Sequence, residues 1–330
     1  MSPTLFSTFP DPDQIADAAE KLRAGHLVAF PTETVYGLGA DATNPLAVAA
    51  IFEVKGRPRF DPLIVHLYTT ADVCRIVSEF PPLAQTLADT FWPGPLTLVL
   101  PKRSLIPEIV TAGLPGVAVR IPRHPVALEL LRQAGRPVAA PSANPFGWIS
   151  PTTAQHVRDG LGTAVNCILD GGPCDVGVES TVLSLMDSRP VLLRPGGVSQ
   201  EEIEAVIGPV QQAIFAEGAG DSAQLAPGML SRHYAPRTPL VVIERGETAL
   251  AIPGKRCGLL TEGTRAWQAG FDQIVSLAET ADLRICAARF FASLRSLDSA
   301  DLDVIIAHKF PDNGLGLALN DRLRRASASN

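Results

Sequence analysis

The sequence lacks any long apolar segment. No run within its 330 residues approaches the ~18 uninterrupted apolar residues of a membrane helix. The opening residues, MSPTLFSTFPDPDQ, hold no basic region followed by an apolar one, which a secretory signal would need. We therefore expect no membrane partner, no export and a cytoplasmic location.

Cysteine is scarce. The five cysteines are an odd number and are scattered without a C-x-x-C pair, which disfavours both disulfides and a zinc site. Free cysteine tends to be buried, so we expect reduced thiols that pack in the interior. The residues concerned are Cys74, Cys167, Cys174, Cys257 and Cys286.

An excess of positive charge is missing as well. The formal net charge is −6, which argues against a protein that coats nucleic acid, because such binding needs many cations on one surface. A local basic cluster must then have a local role. Three roles are open: a small anionic ligand, a weak and restricted RNA contact, or a solvated face.

Common catalytic motifs are absent too. The chain has no G-x-x-x-x-G-K-[ST], no strand-linked G-x-G-x-x-G, no H-E-x-x-H and no nucleophile elbow. The residues alone therefore predict no particular reaction.

The length predicts two domains, because 330 residues exceed what one ordinary core accommodates. Up to residue 207 helical and extended segments alternate, which indicates a mixed α/β sheet. A stretch rich in Gly and Pro follows, and from Leu240 a small α/β pattern restarts. We expect a first domain at 1–208, a linker at 209–238 and a second domain at 239–330.

Within the first domain the sequence predicts four local elements: two helices, a loop and a strand. Residues 13–24 and 45–55 have helical patterns that end at glycines. The Thr and Gly residues of TETVYGLGAD (32–41) suit a loop, and CILDGG (167–172) reads as a strand.

The first candidate for chemistry is the segment IFEVKGRPRFDPLIVHL. It places Lys55, Arg57 and Arg59 at a predicted helix-to-strand turn, before an apolar strand that carries His66. Arginine forks and a mobile lysine charge bind polyphosphates well. The alternative is an ordinary solvated turn, and a lone histidine in a strand is more often structural.

A second candidate is PSANPFGWISPT, residues 141–152. Prolines hold Ser142, Asn144 and Ser150 in a segment that could present fixed donors to a phosphate or a ribose. By composition alone the segment is an ordinary turn.

Arginines in apolar surroundings form a third group. Arg120 lies inside the strand GVAVRIP and needs an anionic partner, since an unpaired buried charge is costly. That partner could be a ligand carboxylate or a structural acid. Arg194 in LLRPGG and the pair Arg232 and Arg237 around Tyr234 are further sites of this kind.

The motifs PTETVYGLGADA, KGRP with PLIVHL, PSAN, ESTVLSL, LLRPG and PGMLSRHYAP, in this order, resemble the Sua5/YrdC family in its two-domain Sua5 form. The resemblance covers residues 13–207, 227–236 and the C-terminal segment. It implies a YrdC-like open mixed sheet with helices and a basic concave cleft, plus a small Rossmann-like α/β C-terminal domain.

The resemblance also implies an activity. Members are L-threonylcarbamoyladenylate synthases, a class of nucleotidyltransferase. They form threonylcarbamoyl-AMP and pyrophosphate from ATP, L-threonine and bicarbonate or CO2. A downstream threonylcarbamoyl transferase machinery then acts on tRNA, giving t6A at position 37 of tRNAs that read ANN codons. Mg2+ is expected with ATP, without direct protein ligands.

Through the matched motifs, the resemblance implies which residues of this sequence form the site. Lys55 and Arg57 would be catalytic, because with Ser142 and Asn144 they match the signature that grips ATP phosphates. Asp61 stands where many members have Asn, and a carboxylate cannot donate as an amide does. The implied ATP contacts are Arg57, Asp61, Ala140, Ser142, Asn144, Ser150, Arg194 and Tyr234, and the implied threonine contacts are Thr34, His66, Arg120 and Ser180.

The same resemblance makes the linker part of the site, because Tyr234 would reach the nucleotide. Two other functions remain open from the sequence: a non-catalytic RNA-binding module, and an adenylating enzyme for a different amino acid or carbamate.

Overall fold

The computed structural model describes residues 10–165, 167–213, 233–263, 270–280 and 282–328. These residues form two sheets with helices packed against them. The first sheet contains β1 (Val28–Phe30), β2 (Gly37–Asp41), β3 (Ile64–His66), β4 (Leu96–Pro101), β5 (Gly116–Arg120), β6 (Val138–Ala139), β7 (Thr181–Ser184), β8 (Val191–Arg194) and β9 (Gln211–Gln212). Its helices are α1 (Pro12–Arg23), α2 (Pro45–Lys55), α3 (Thr70–Ile76), α4 (Pro82–Phe91), α5 (Glu108–Thr111), α6 (Pro125–Ala134), α7 (Ala154–Leu161) and α8 (Gln200–Ile207), with a 3-10 turn at Gly162–Ala164.

The second sheet has four strands and two helices. They are β10 (Leu240–Ile243), β11 (Cys257–Thr261), β12 (Gln273–Ser276), α9 (Leu283–Asp298), β13 (Val304–His308) and α10 (Leu315–Ala326).

The strand orders confirm the predicted fold class. The first sheet runs β1-β2-β6-β3-β5-β4-β7-β8-β9 and mixes parallel with antiparallel pairs. The second runs β10-β13-β11-β12, with every pair parallel. Parallel strands joined through helices are typical of a Rossmann-like module.

Local signals fix the first two helices. The side chain of Asp11 caps α1 and forms a capping box with Gln14. Asn44 caps α2, which ends at Gly56 with a left-handed φ of 62°. The predictions at 13–24 and 45–55 are thereby confirmed to within a residue.

Two local predictions were wrong. Residues 37–41 form β2 and not a loop, between β1 and β6. Gly39 serves close packing there, since a Cβ would lie 2.8 Å from the Phe30 ring and 2.9 Å from Val138 Cγ1. The segment 167–172 contains no assigned strand, and only Ile168 makes an isolated bridge to Ala29.

The cysteines are free, as expected, but they differ in burial. Cys174, Cys257 and Cys286 are buried and Cys167 is half-buried. Cys74 is exposed on α3, so the expectation that all five pack inside was wrong for that residue. In the part of the chain that the structure describes, no helix is long and apolar enough to cross a bilayer.

The two sheets share one apolar cluster beside the candidate site. Val35, Ile149 and Val178 from the first sheet's side pack with Tyr234 and with a core that includes Phe291 of α9. The predicted domain limits stay a prediction. Strand β9 pairs with β8 just beyond residue 208, and residues 214–232 of the predicted linker lie outside the described residues.

Candidate active site

A pocket lies where loops after β1 and β6 meet the ends of β3, β5 and β8 and the segment at 233–234. The structure brings nine of the predicted site residues together in its wall: Thr34, Arg57, His66, Arg120, Ala140, Ser142, Ser180, Arg194 and Tyr234. The wall also contains Thr32, Val35, Gly37, Ile64, Pro141, Glu179 and His233.

Strand pairing explains much of this convergence. In the parallel register of β3 and β5, His66 lies opposite Arg120. Ser142 forms an isolated bridge with Gly37, which draws the PSAN segment against the start of β2. Residues far apart in sequence therefore meet through the register of the strand pairs.

Four predicted site residues do not line the pocket: Lys55, Asp61, Asn144 and Ser150. Lys55 is buried, and its Nζ donates to the carbonyl oxygen of Ser142 at 2.5 Å and to that of Asn144. Burial, reinforced by the neighbouring Arg57, lowers the Lys55 pKa well below its usual value. Lys55 thus holds the backbone of the PSAN segment, and direct contact of Lys55 and Asn144 with ATP stays a prediction.

Arg57 and Asp61 form a buried ion pair, with Arg57 Nη2 2.9 Å from Asp61 Oδ2. Arg57 also donates to the carbonyl oxygens of Asp61 and Pro62, at 3.2 and 2.9 Å. Burial lowers the Arg57 pKa, while Asp61 opposes that shift. Asp61 therefore orients the arginine, and the predicted contact between Asp61 and ATP stays a prediction.

Arg120 is held on three sides. Its Nη2 lies 2.7 Å from Glu33 Oε1, its Nη1 donates to Thr34 Oγ1 at 2.9 Å, and its Nε donates to the Gly94 carbonyl at 3.2 Å. Of the two partners that the sequence left open, the structure supplies the structural acid, Glu33. The arginine still lines the pocket, so a ligand carboxylate could share it.

His66 is buried beside Arg120. Burial, with the arginine's charge added, lowers its pKa to about 3. Its Nδ1 has no hydrogen-bond partner among the described residues. At neutral pH the imidazole is therefore an uncharged part of the pocket wall.

Arg194 lies at the end of β8 and reaches the segment before β7. Its Nη2 and Nε donate to the Ser180 carbonyl oxygen at 2.9 and 3.2 Å. The Ser180 hydroxyl also shares a 2.7 Å hydrogen bond with Thr97. Burial lowers the Arg194 pKa. A buried arginine thus fixes the backbone at the predicted threonine contact.

Glu179 is a residue of the pocket that sequence reasoning missed. Its Oε1 accepts from the Ser150 hydroxyl at 2.6 Å, and its Oε2 accepts from Arg322 Nε of α10 at 2.9 Å. Ser150 therefore reaches the pocket only through this carboxylate. The motif ESTVLSL contained Glu179, whereas nothing local marks an arginine 143 residues further on.

Tyr234 closes one side of the pocket and has an unusual backbone. Its φ is +64°, a left-handed value that is uncommon for a residue other than glycine. The ring lies 4.1 Å from the His233 ring and 5.5 Å from Phe291, between centroids. The free volume between these walls is about 50 Å³, enough for a few water molecules.

The pocket wall offers guanidinium groups to an anion. Three buried arginines, Arg57, Arg120 and Arg194, line it together with the carboxylate of Glu179, and Arg57 and Arg120 are also paired with Asp61 and Glu33. The hydroxyls of Thr34 and Ser142 add neutral groups that can donate or accept. Such a site can bind and orient two anionic reactants.

Comparison with known proteins identifies the family to which the chain belongs. A model whose description is telomere recombination, covering Sua5, YciO and YrdC, matches residues 20–196. A second, described as the C-terminal domain of threonylcarbamoyl-AMP synthase, matches residues 198–328. The chain belongs to the Sua5/YciO/YrdC family.

Similar proteins agree with this family. The chain is 47% identical over 324 residues to a threonylcarbamoyl-AMP synthase of Bacillus subtilis, covering 95% of this chain and 93% of the relative. It is 45% identical to one of Pyrococcus abyssi, covering 95% and 94%. The solved structure of P. abyssi Sua5 complexed with L-threonine is 44% identical, with a TM-score of 0.87 over 95% of this chain and 94% of that one.

Proposed function

We propose that this chain is a threonylcarbamoyl-AMP synthase that joins L-threonine, bicarbonate or CO2 and ATP, releasing pyrophosphate. Family membership and full-length similarity to synthases of two organisms support the proposal. The observation that carries it is the pocket itself, which gathers three arginines and the predicted contacts for both substrates. In reaction class the chain would be a nucleotidyltransferase.

The chemistry joins two anions. The threonine amine combines with CO2 to give a carbamate, whose oxygen attacks the α-phosphorus of ATP while pyrophosphate leaves. Such a step depends on positioning and on charge neutralisation more than on a covalent nucleophile. The absence of a nucleophile motif from the sequence is consistent with this step.

The pocket residues divide into two groups in this proposal. Arg57 and Arg194 would offset the phosphate charge of the nucleotide, with Ala140, Ser142 and Tyr234 around it. Arg120, Thr34, His66 and Ser180 would hold threonine. His66 would act as a hydrogen-bonding group and not as the base, because a pKa of about 3 makes it a poor acceptor for an ammonium proton.

Mg2+ would enter with ATP. This cation commonly binds substrate phosphates and keeps several of its waters. Glu179, the carboxylate in the pocket wall, already accepts from Ser150 and Arg322, so its oxygens are engaged within the protein. When bound, Mg2+ would neutralise phosphate charge, and the arginines named above would do the same from the protein side.

The test is pyrophosphate release from MgATP, with threonine and bicarbonate omitted in turn. We expect release to require both, and the product to have the mass of threonylcarbamoyl-AMP. Release that continues without threonine, or that another amino acid supports better, would indicate a different adenylating enzyme. RNA binding without any ATP consumption would indicate a non-catalytic module.

The product's destination follows from its chemistry. A mixed anhydride of a carbamate and a phosphate is an activated acyl donor, so a transferase must consume it. We propose the machinery that transfers the threonylcarbamoyl group to adenosine 37 of tRNAs reading ANN codons. Adding purified transferase components and such a tRNA to the assay should move threonine carbon into t6A.

A further inference from the structure

Arg322 of α10 connects the second sheet's helices to the pocket. It is fully buried, and its Nε lies 2.9 Å from Glu179 Oε2. Its Nη1 donates to the Pro195 carbonyl oxygen at 2.8 Å. Its guanidinium lies over the Tyr234 ring, 5.4 Å from the centroid. A buried arginine is tolerated only when its charge is compensated, so this arrangement is specific.

All three partners belong to the nucleotide end of the proposed site. Glu179 lines the pocket and accepts from Ser150, a predicted ATP contact. Pro195 directly follows Arg194, and Tyr234 is another predicted ATP contact. One side chain of α10 therefore touches three of the segments that would surround the nucleotide.

The helix itself holds Arg322 in place. Asp321 lies 3.0 Å from Arg322 Nη1 and accepts from Arg325 Nε at 2.9 Å. The backbone N–H of His233 donates to the Arg325 carbonyl at 3.3 Å, which ties the segment before Tyr234 to the same turn of helix. The orientation of Arg322 is thus set by its own helix together with its contacts to Glu179, Pro195 and Tyr234.

We propose that Arg322 is a positioning residue of the active site, which compensates the charge of Glu179 and so allows a polyphosphate to bind beside it. Without Arg322, Glu179 would be a buried carboxylate facing the phosphates without its ion-pair partner, and like charges in a water-poor site repel strongly. The inference rests on the proposed function only for the identity of the nucleotide.

A second effect would act in the opposite direction. Loss of Arg322 also removes a cation–π contact from Tyr234, which could loosen the narrow pocket and ease entry. An uncompensated buried carboxylate is the larger of the two effects, because a cation–π contact is weaker than a buried ion pair. The Glu179→Gln background separates them, since the carboxylate charge is then absent and the Tyr234 contact and the Pro195 hydrogen bond of Arg322 remain to be tested.

The experiment measures ATP binding by calorimetry and the KM values for ATP and threonine in the full-length chain. The variants are Arg322→Ala, Arg322→Lys, Glu179→Gln and the double variant Arg322→Ala with Glu179→Gln. Arg324→Ala is the matched control, because Arg324 is an exposed arginine of the same helix whose ion pair among the described residues is with Asp321. Thermal melts accompany every variant.

We expect Arg322→Ala to raise the KM for ATP by about tenfold or more, with a much smaller change in the KM for threonine. Arg322→Lys, which keeps the charge, should recover part of the loss. In the Glu179→Gln background the same arginine substitution should change ATP affinity little, and Arg324→Ala should behave as wild type.

The proposal is overturned if ATP binding is normal in Arg322→Ala, or if the losses from Arg322→Ala and Glu179→Gln simply add. Equal losses for ATP and threonine with a collapsed melting temperature would show a structural role alone. If Arg322→Ala does not fold, Arg322→Lys and the double variant decide by the same criteria. A wild-type chain that needs no threonine for pyrophosphate release would instead reject the proposed function, whatever the variants do.

Discussion

Charged side chains at the pocket are compensated by partners that sequence reasoning did not name. Arg120 pairs with Glu33, and Glu179 pairs with Arg322. The arginines were recognisable because a cation in an apolar strand is conspicuous. Their partners were not, because an acidic residue in a loop gives no local signal of what it will face. The motif residues of the site were therefore predictable from the sequence, whereas the ion pairs that hold them depend on the tertiary fold.

His66 gives the protein a pH dependence at the scale of one residue. Its pKa falls from 6.5 to about 3 on folding, so below pH 6.5 the unfolded chain binds a proton that the native chain does not. The free energy of unfolding should then fall as pH drops from 6.5 towards 3, by up to about 1.4 kcal/mol per pH unit. Urea melts at pH 7, 6 and 5 measure this slope.

In His66→Gln that slope should be shallower by a similar amount, because glutamine cannot take the proton. The exposed His26 offers a control, and His26→Gln should keep the wild-type slope. Equal slopes in wild type and His66→Gln would mean that the imidazole titrates normally in the folded state.

At the scale of elements, the sequence predicted the helices correctly but misassigned the glycine-containing strand β2 as a loop. The helix predicted at 45–55 matches α2 residue for residue, because its apolar residues, its Asn44 cap and the stop at Gly56 agree. In β2 the glycines looked like turn residues, although they are needed where Phe30 and Val138 press against the strand. A glycine signals either a turn or a close approach, and only the neighbouring strands decide which.

Gly39→Ala tests that reading of β2. The added Cβ would overlap Phe30 and Val138, so we expect a loss of about 1–3 kcal/mol in the free energy of unfolding. Gly263→Ala is the control, since nothing in the described structure lies within 4 Å of a Cβ there. Urea denaturation of both variants provides the comparison, and equal stabilities would show that β2 accommodates a side chain.

At the scale of the whole molecule, the first sheet's side packs closely against helix α9 of the second unit. The composition of the linker did not predict this contact. A Cβ on Gly177 would lie 2.4 Å from both the Ala287 carbonyl oxygen and Ala288 Cα, on α9. The sequence predicted two α/β units correctly, but it held no information on which faces would meet. Shape complementarity determines which faces pack together. Here Gly177, next to Val178 and Glu179, allows α9 to approach closely.

Gly177→Ala should therefore affect the pocket as well as stability. Both Gly177 and Gly113 have a left-handed φ, at 75° and 79°, so alanine strains either backbone by roughly 1 kcal/mol. Only at Gly177 does the side chain also collide with a helix. We expect Gly177→Ala to be the less stable of the two and to lose several-fold in ATP-dependent activity, measured by melts and pyrophosphate release.

Gly113→Ala should keep its activity, because its Cβ meets only a carboxylate oxygen of Glu108 at 3.9 Å. Matching behaviour of the two variants would mean that α9 shifts to make room and that the interface tolerates the change.

The apolar cluster that the two sheets share has a thermodynamic consequence. Because Tyr234 and Val178 pack in the same cluster as Phe290 and Phe291, the second sheet cannot open alone without exposing apolar surface that also supports the pocket. The two units should then unfold as one cooperative system, and a ligand bound against the first sheet should protect amides in α9 and α10 that it never touches. Substrate binding and the integrity of the C-terminal module are in this way reciprocally linked.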